Sequence, residues 1–143
     1  MIAALPLEAY PCRREISLIF ADIDTIGHVN NVAIARFFEE GRVAVGRMIA
    51  ELLGERVPLR MVLAHVEIDY LAEVMYPGEV QLGAGVHRVG RTSIEFRAGL
   101  FQHGRPVAVS RSVDVNTVVG RPGAVPLSGQ CRTVAQKLLL PGA

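Results

Sequence analysis

The sequence predicts an α+β domain in which one long helix is buried against an antiparallel sheet. Apolar residues recur at helical spacing from about Val32 to Leu53, which is typical of an amphipathic helix. Runs in which apolar and polar residues alternate occur once before this stripe and four times after it, and alternation of this kind indicates half-buried strands. Because short turns separate the later runs, we expect these strands to pair in antiparallel fashion. The helix then buries its apolar stripe against the sheet.

The individual elements follow in chain order. The first strand is predicted over residues 14–20, and Asn30 or Asn31 caps the helix because a short amide side chain can accept from a free backbone N–H. The helix stops near Gly54 and Pro58, and its two internal glycines, Gly41 and Gly46, indicate close packing against the sheet. Four further strands are predicted over 62–70, 80–86, 94–100 and 107–117, with turns at Pro77-Gly78, Gly90 and His103-Gly104. The tail after about residue 120 is predicted to be irregular, apart from a short helical turn around Arg132 to Leu139.

Length and composition fit one soluble domain. The 143 residues, half of them hydrophobic, predict a single domain spanning 1–143. A net charge of +1 with scattered arginines argues against a nucleic-acid surface. No apolar run is long enough to cross a membrane, and the first ten residues lack the basic start and long apolar stretch of a signal peptide, so we expect a cytoplasmic protein. Cys12 and Cys131, near opposite ends, are expected to be reduced thiols.

The segment Asp22 to Asn31, between the first strand and the helix, carries the chemistry. It holds two carboxylates, an imidazole and two amides within ten positions. Backbone N–H groups at the start of a helix point outward, and the helix dipole favours negative charge there. A carboxylate such as Asp24 can act as a general base or a nucleophile while free N–H groups hold a developing oxyanion. This is the apparatus of acyl transfer.

The same segment resembles the signature of a known family. The run Phe20-Ala-Asp-Ile-Asp-Thr-Ile-Gly-His-Val-Asn-Asn31, followed by Phe37-Phe-Glu-Glu-Gly-Arg42, is similar to hotdog-fold acyl-CoA thioesterases of the 4-hydroxybenzoyl-CoA thioesterase type. The segments Tyr70-Leu-Ala-Glu-Val-Met-Tyr-Pro-Gly-Glu79 and Val89-Gly-Arg-Thr-Ser93 resemble later parts of these proteins. The resemblance covers nearly the whole chain and implies the hotdog fold, a long central helix wrapped by a five-stranded, mainly antiparallel sheet.

The resemblance also implies roles for individual residues. Asp24 matches the catalytic carboxylate, which acts on the thioester carbonyl directly or through a water. Asn31 lies at the helix start, where the family uses a backbone N–H to polarise the carbonyl; one branch has a histidine there, whereas the histidine here is His28. We further expect substrate contacts from His28 and Asn30 and an acyl pocket beside the helix, lined partly by Ile34, Phe37 and Phe38. Arg88 and Arg91, near a turn, are candidates for contacts with CoA phosphates.

The expected partners are an acyl-CoA substrate and further copies of the same chain. We expect no metal and no redox cofactor, with coenzyme A present only as part of the substrate. A sheet that wraps a helix on one side leaves an edge strand exposed, and pairing two such edges across a two-fold axis predicts a homodimer, or a homotetramer built from dimers. We expect the thioester to lie across the subunit boundary and expect no nucleic-acid or membrane partner.

Other functions remain open at this stage. Asp24 can simply close a turn before Gly27, and a hotdog domain can bind acyl groups without hydrolysing them. The run Leu18-Ile-Phe-Ala-Asp-Ile-Asp-Thr25 resembles the first motif of haloacid-dehalogenase-type phosphatases. That family needs a later lysine and alternating helices. The one lysine here, Lys137, lies in the tail, and the strand-rich remainder lacks alternating helices. A metal site at Asp22, Asp24 and His28, and an acyl-carrier-protein substrate, are further alternatives.

Overall fold

The computed structural model describes residues 1–54 and 59–143. Pro58, one of the two residues predicted to stop the helix, lies outside the described residues. Within these ranges the chain forms five strands and two α-helices. In chain order the elements are β1 (Cys12–Ser17), α1 (Asn31–Leu53), β2 (Met61–Tyr70), β3 (Glu79–Val89), β4 (Ser93–Gln102), β5 (Arg105–Asn116) and α2 (Gly129–Gln136), with single 3-10 turns at Leu7–Ala9 and Phe20–Asp22. All strand pairs are antiparallel, and α1 packs on one face of the sheet. The predicted hotdog arrangement is confirmed.

The order of strands in the sheet differs from a simple meander. The order is β1-β3-β4-β5-β2, so β2 pairs with β5 and not with β3. The expectation that short turns join all four later strands is therefore wrong at Pro77-Gly78, because segment 71–78 carries the chain across from one edge of the sheet toward the other. Alternating hydrophobicity identifies which residues face the core, but it does not identify the strand's neighbour. The predicted turn at His103-Gly104 is confirmed as a two-residue hairpin, with φ of 52° and 75°.

Helix α1 begins and ends at clear capping residues. It starts at Asn31, one residue earlier than predicted, and Asn30 is its N-cap, because the Asn30 side chain accepts from the N–H of Ala33 at 2.8 Å. Gly54 ends it in the left-handed conformation, with φ of 67°. Its buried face comprises Ala33, Ile34, Phe37, Phe38, Gly41, Ala44, Val45 and Ile49. Burying each large side chain contributes about 1.5–3 kcal/mol, so this stripe attaches the helix to the sheet.

The two glycines inside α1 have different surroundings. A Cβ at Gly41 would lie 3.2 Å from the Cβ of Ala84 and 3.3 Å from Leu82, which confirms close packing of the helix on β3. A Cβ at Gly46 would meet no described atom outside the neighbouring helix backbone within 4 Å, so the predicted packing reason is wrong for Gly46. Helical periodicity explains the difference, since positions five apart on a helix do not share one face.

The two edges of the sheet differ. At the β1 edge, the tail continues the sheet: Val86 donates to Leu138 and accepts from Leu140. The tail is thus more regular than predicted, since α2 begins at Gly129 and Leu138 and Leu140 are buried. Strand β2 at the other edge pairs with β5 alone, and large apolar side chains along it are exposed: Val62 (47%), Leu63 (42%), Val66 (41%) and Tyr70 (46%).

A second, smaller core covers the outer face of the sheet, opposite α1. Tyr10, Phe101 and Leu140 form it, and the rings of Tyr10 and Phe101 meet edge to face at 6.3 Å. Glycines Gly83, Gly85 and Gly99 leave the space into which Tyr10 and Leu140 pack. Side chains at these glycine positions would overlap Tyr10, Pro11 or Leu140. The segments before β1 and after α2 are thereby held against the sheet.

Candidate active site

The loop between β1 and α1 is anchored by Asp22, which is 2% exposed. One carboxylate oxygen accepts from the N–H of Ile19 at 3.0 Å, and the other lies 2.7 Å from Nη2 of Arg36 on α1. The carbonyl of Asp22 accepts from the N–H of Asn30 at 2.8 Å. Asp22 therefore ties the end of β1 to the start of the helix.

Asp24 lies two residues further on in a tight turn that its own side chain closes. Oδ1 accepts from the N–H of Ile26 at 2.9 Å and from the N–H of His28 at 3.2 Å, while the Asp24 N–H donates to the carbonyl of His28 at 2.9 Å. Throughout residues 1–54 and 59–143, no hydrogen bond engages Oδ2. Half of the carboxylate is thus fixed by the backbone, and the other half is available at a partly exposed position.

The start of α1 supplies backbone donors beside this turn. The Asn30 side chain accepts from the N–H of Ala33, and the N–H of Ile34 donates to the carbonyl of Asn30. Within the described parts of the chain, the N–H groups of Asn31 and Val32 have no partner, as expected for the first turn of a helix. Such donors, aligned with the helix dipole, favour a negative charge in front of them.

His28 is held on the other side of the turn. Its backbone forms an isolated antiparallel bridge with Met75, and its Nε2 lies 3.4 Å from the carboxylate of Glu73, whose side chain is largely exposed. Met75 is fixed in turn by the buried Gln102, whose side chain accepts from the Met75 N–H at 2.9 Å and donates to its carbonyl at 2.8 Å. The end of β4 therefore holds the segment that faces His28.

These elements enclose a cleft of about 390 Å³. It is lined by Asp24, Ile26, His28, Val29, Asn31, Ile34, Tyr70, Leu71, Ala72, Glu73 and Val74. The hydroxyl of Tyr70, at the end of β2, lies 3.4 Å from the carbonyl of Asn31 and links the edge strand to the helix start. The cleft thus combines one available carboxylate oxygen, one imidazole and the free donors of a helix N-terminus.

The structure brings together most of the residues that the sequence singles out, but not all. Asp24, His28, Asn31 and Ile34 share the cleft, and Asn30 is the helix cap behind it. Phe37 and Phe38 are 0% exposed in the core and do not border this cleft, so their part in an acyl pocket stays a prediction.

Arg88 and Arg91 lie at the opposite end of the sheet from Asp24. The cleft is at the start of β3, whereas Arg88 is near its end, about 30 Å away along the strand. The structure does not place these arginines beside the cleft of the same chain. Contact between them and CoA phosphates stays a prediction.

Sequence reasoning missed the wall formed by Tyr70 and Glu73. Residues 70–79 resemble a later part of the thioesterase pattern, but this resemblance assigned no role to Tyr70 or Glu73. The pairing of β2 with β5 brings Tyr70 to the helix start, and the bridge of Met75 with His28 brings Glu73 to the loop. The sequence revealed neither contact.

Neither a metal cluster nor a membrane-spanning helix occurs in the described ranges. No group of three or more His, Cys, Asp or Glu residues is placed to hold a metal ion there. No helix in these ranges has the length and apolar character required to span a bilayer.

Comparison with known proteins agrees with the fold. The model of the Thioesterase-like superfamily matches residues 19–132, which include the whole cleft and both helices up to Arg132. The chain belongs to this superfamily, in the hotdog-fold group of thioesterases.

Individual relatives extend the comparison. The chain is similar to a predicted thioesterase from Bacillus stearothermophilus, with 27% identity, a TM-score of 0.81, and coverage of 91% of this chain and 98% of that one. It is also similar to a thioesterase from Thermus thermophilus solved with coenzyme A and zinc, with 27% identity, a TM-score of 0.74, and coverage of 89% and 98%. The uncharacterized protein YsmA of Bacillus subtilis is 30% identical over 80 residues, 56% of this chain. The match spans about half of that curated relative, 54% of its length.

Proposed function

We propose that this protein hydrolyses an acyl thioester to a free acid and a thiol, with Asp24 as the catalytic residue. The observation that carries the proposal is the state of the Asp24 carboxylate. Backbone N–H groups hold Oδ1, Oδ2 has no described partner, and the free N–H groups of Asn31 and Val32 begin the helix at the same cleft. Membership of the thioesterase-like superfamily supports the same chemistry.

The geometry suits attack on a thioester carbonyl. In the general-base route, Oδ2 of Asp24 takes a proton from water while the water oxygen bonds to the carbonyl carbon. The carbonyl oxygen becomes an oxyanion in front of the helix N–H groups, and the C–S bond then breaks. In the nucleophilic route, Oδ2 bonds to that carbon first, and water later cleaves the resulting anhydride. The sulfur leaves as a thiolate in both routes, and because its pKa is moderately low, no strong acid is needed beside it.

We propose coenzyme A as the carrier of the acyl group, with an acyl carrier protein as the alternative. Support comes from the Thermus thermophilus relative that was solved with coenzyme A. The acyl chain enters beside Ile34, which borders the Asp24 cleft. In this proposal, Arg88 and Arg91 contact the CoA phosphates only if CoA extends to the far end of a sheet. That sheet belongs either to the same chain or to a neighbouring copy. A cytoplasmic location completes the proposal.

The proposed active form is a dimer, with a tetramer as a further assembly. Strand β2 leaves one sheet edge without a partner in the described ranges, and four large apolar side chains along it are exposed. Antiparallel pairing of two β2 edges across a two-fold axis would satisfy the free backbone groups and cover these side chains. The mass in solution tests this assembly, since a protein that stays monomeric at micromolar concentration contradicts it.

The first experiment measures thiol release from short, long and aromatic acyl-CoAs by the wild type and by Asp24→Asn. We expect at least a hundredfold loss of kcat in the variant, about 2.7 kcal/mol of barrier, because an amide neither accepts the proton nor attacks the carbonyl. Asp69→Asn is the matched control, since this carboxylate lies on the opposite face of the sheet and accepts from the N–H of Ile2.

The outcomes separate the functional classes. Retention of activity in Asp24→Asn would keep thioester hydrolysis and transfer the catalytic role to another group, with His28 examined next. A folded wild type that releases no thiol from any acyl-CoA or acyl carrier protein would favour an acyl-binding domain without catalysis. The antiparallel sheet of the described ranges gives no support to the phosphatase alternative, which requires a parallel sheet with alternating helices.

A further inference from the structure

The connection between β2 and β3, called here the crossover segment (71–78), forms one wall of the Asp24 cleft. Four of its residues line the cleft. At its start, two backbone N–H groups donate to the carbonyl of Val107, at 2.9 and 3.1 Å. At its end, the carbonyl of Gly78 accepts from the N–H of Leu18 at 2.9 Å. Both ends of the crossover segment are thus bonded to neighbouring strands, and its middle depends on other contacts.

The middle of the crossover segment is held by the side chain of Gln102, the last residue of β4. The amide oxygen of Gln102 accepts from the N–H of Met75 at 2.9 Å, and its amide nitrogen donates to the carbonyl of Met75 at 2.8 Å. One side chain thus bonds both backbone groups of one residue, as a residue of an antiparallel strand would. Gln102 is 5% exposed, so the loss of either bond would leave a buried polar group without its partner, which costs free energy.

Two further sets of contacts connect Met75 to the Asp24 carboxylate. The carbonyl of Val74 accepts from the N–H of Val29 at 3.1 Å, and Met75 forms the isolated bridge with His28. His28 in turn donates its N–H to Oδ1 of Asp24, and its carbonyl accepts from the Asp24 N–H. Val74 and Val29 are 1% and 4% exposed, so the junction between the two segments is closely packed. The position of the Asp24 turn therefore depends on where the crossover segment lies.

We propose that Gln102 is a positioning residue for thioester hydrolysis, because its two hydrogen bonds to Met75 set the place of the Asp24 carboxylate in the cleft. The inference rests on the proposed function. Within the described ranges, Gln102 lies outside the lining of the cleft, so it acts through the backbone and not on the substrate. A displacement of a catalytic group by about 1 Å can cost about a hundredfold in rate. Gln102 prevents such a displacement and therefore acts on kcat more than on KM.

The kinetic test replaces Gln102 by methionine, which has a similar length but forms neither hydrogen bond. With the acyl-CoA that the wild type hydrolyses fastest, we expect Gln102→Met to lower kcat by about ten- to a hundredfold and to change KM by less than about threefold. Asn116→Leu is the matched control. The Asn116 amide also bonds backbone carbonyls, those of Val125 and Pro126, but it lies at the opposite end of the sheet from Gln102. This control should lose stability and keep kcat.

A second measurement, amide hydrogen exchange without substrate, follows the loop itself. In Gln102→Met, the N–H groups of His28 and Val29 should exchange at least about tenfold faster than in the wild type, because the segment that holds them has lost its support. In Asn116→Leu, exchange at these two positions should stay as in the wild type. Where Gln102→Met does not fold, Gln102→Glu takes its place. The introduced carboxylate fills the same space but lacks the N–H that donates to Met75, and the same directions of change are expected.

The outcomes separate this inference from the proposed function. Unchanged kcat in the folded Gln102 variant, or exchange at His28 and Val29 as slow as in the wild type, would overturn the positioning role and leave thioester hydrolysis intact. An equal loss of kcat in Asn116→Leu would also overturn it, since a general loss of stability would then explain the result. A wild type that releases no thiol, together with fast exchange at His28 and Val29 in the Gln102 variant, would overturn the proposed function and not the support of the loop by Gln102.

Discussion

Two buried carboxylates at the same end of the sheet, Glu95 and Asp114, lie on opposite faces and have opposite surroundings. Each is 9% exposed, and β4 and β5 pair Glu95 with Val113 and Ile94 with Asp114, so the two are close neighbours in the register. On the outer face, Glu95 receives two hydrogen bonds from Arg111, at 2.7 and 3.2 Å. On the helix face, the 3.8 Å approach of Arg42 is the one polar contact of the Asp114 side chain within residues 1–54 and 59–143.

The pKa directions follow from this difference. Hydrogen bonds from Arg111 hold the pKa of Glu95 below its usual range, even though burial opposes them. Burial raises the pKa of Asp114, because the attraction of Arg42 is the weaker influence. Similar exposure thus accompanies opposite pKa directions: the hydrogen bonds from Arg111 outweigh burial at Glu95, whereas burial outweighs the ion pair with Arg42 at Asp114. Glu95 therefore contributes to stability at neutral pH, whereas Asp114 costs stability there.

The largest expected effect on stability is that of Glu95→Gln. Loss of a charge-assisted pair of hydrogen bonds should lower the free energy of unfolding by about 1–2 kcal/mol at pH 7; we take the lower part of the usual range because Arg111 is 39% exposed. Urea denaturation measures it. The contribution of Glu95 is present above its usual pKa and is lost as pH falls through the lowered folded value. The gap between wild type and variant should therefore shrink below about pH 4. A gap that is constant with pH would contradict the role of the Glu95 charge.

The smaller effect, of opposite sign, is that of Asp114→Asn. Removal of a poorly paired charge should raise the free energy of unfolding by up to about 1 kcal/mol at pH 7. Since the folded pKa is raised, the protonated form is favoured in the folded protein. Its stabilising contribution is present below about pH 3.9 and is lost as pH rises through the folded value. The advantage of Asn should thus appear only on the neutral side. A clear loss of stability at pH 7 would show that the Asp114–Arg42 pair stabilises the fold.

Much of the fold could be predicted from periodicity and turn residues. The apolar stripe of α1 gave its length to within one residue, and His103-Gly104 marked the hairpin, because helix period and turn type are local properties. The partner of β2 could not be predicted, since pairing depends on contacts distant in sequence. The helical turn predicted around Arg132 to Leu139 overlaps α2 in part, but the pairing of Leu138 to Leu140 with β3 was missed for the same reason.

The candidate site was predicted in part. The loop residues Asp24, His28 and Asn31 are close in sequence, so their proximity in space follows from a short connection between a strand and a helix. The ion pair of Arg42 and Asp114 joins an internal position of α1 to the last third of β5, and no spacing in the sequence predicts this contact.

The small glycines under Tyr10 and Leu140 restrict how this chain can be altered. A side chain at Gly85 would lie 2.6 Å from Leu140, and one at Gly99 would lie 2.9 Å from the Tyr10 hydroxyl oxygen. Each of these positions is therefore coupled to one of the two terminal segments, and substitutions on the sheet must be compensated there. In protein engineering, trimming or grafting that removes Tyr10 or Leu140 would leave an apolar notch open to water. Fusion partners are better attached beyond these residues.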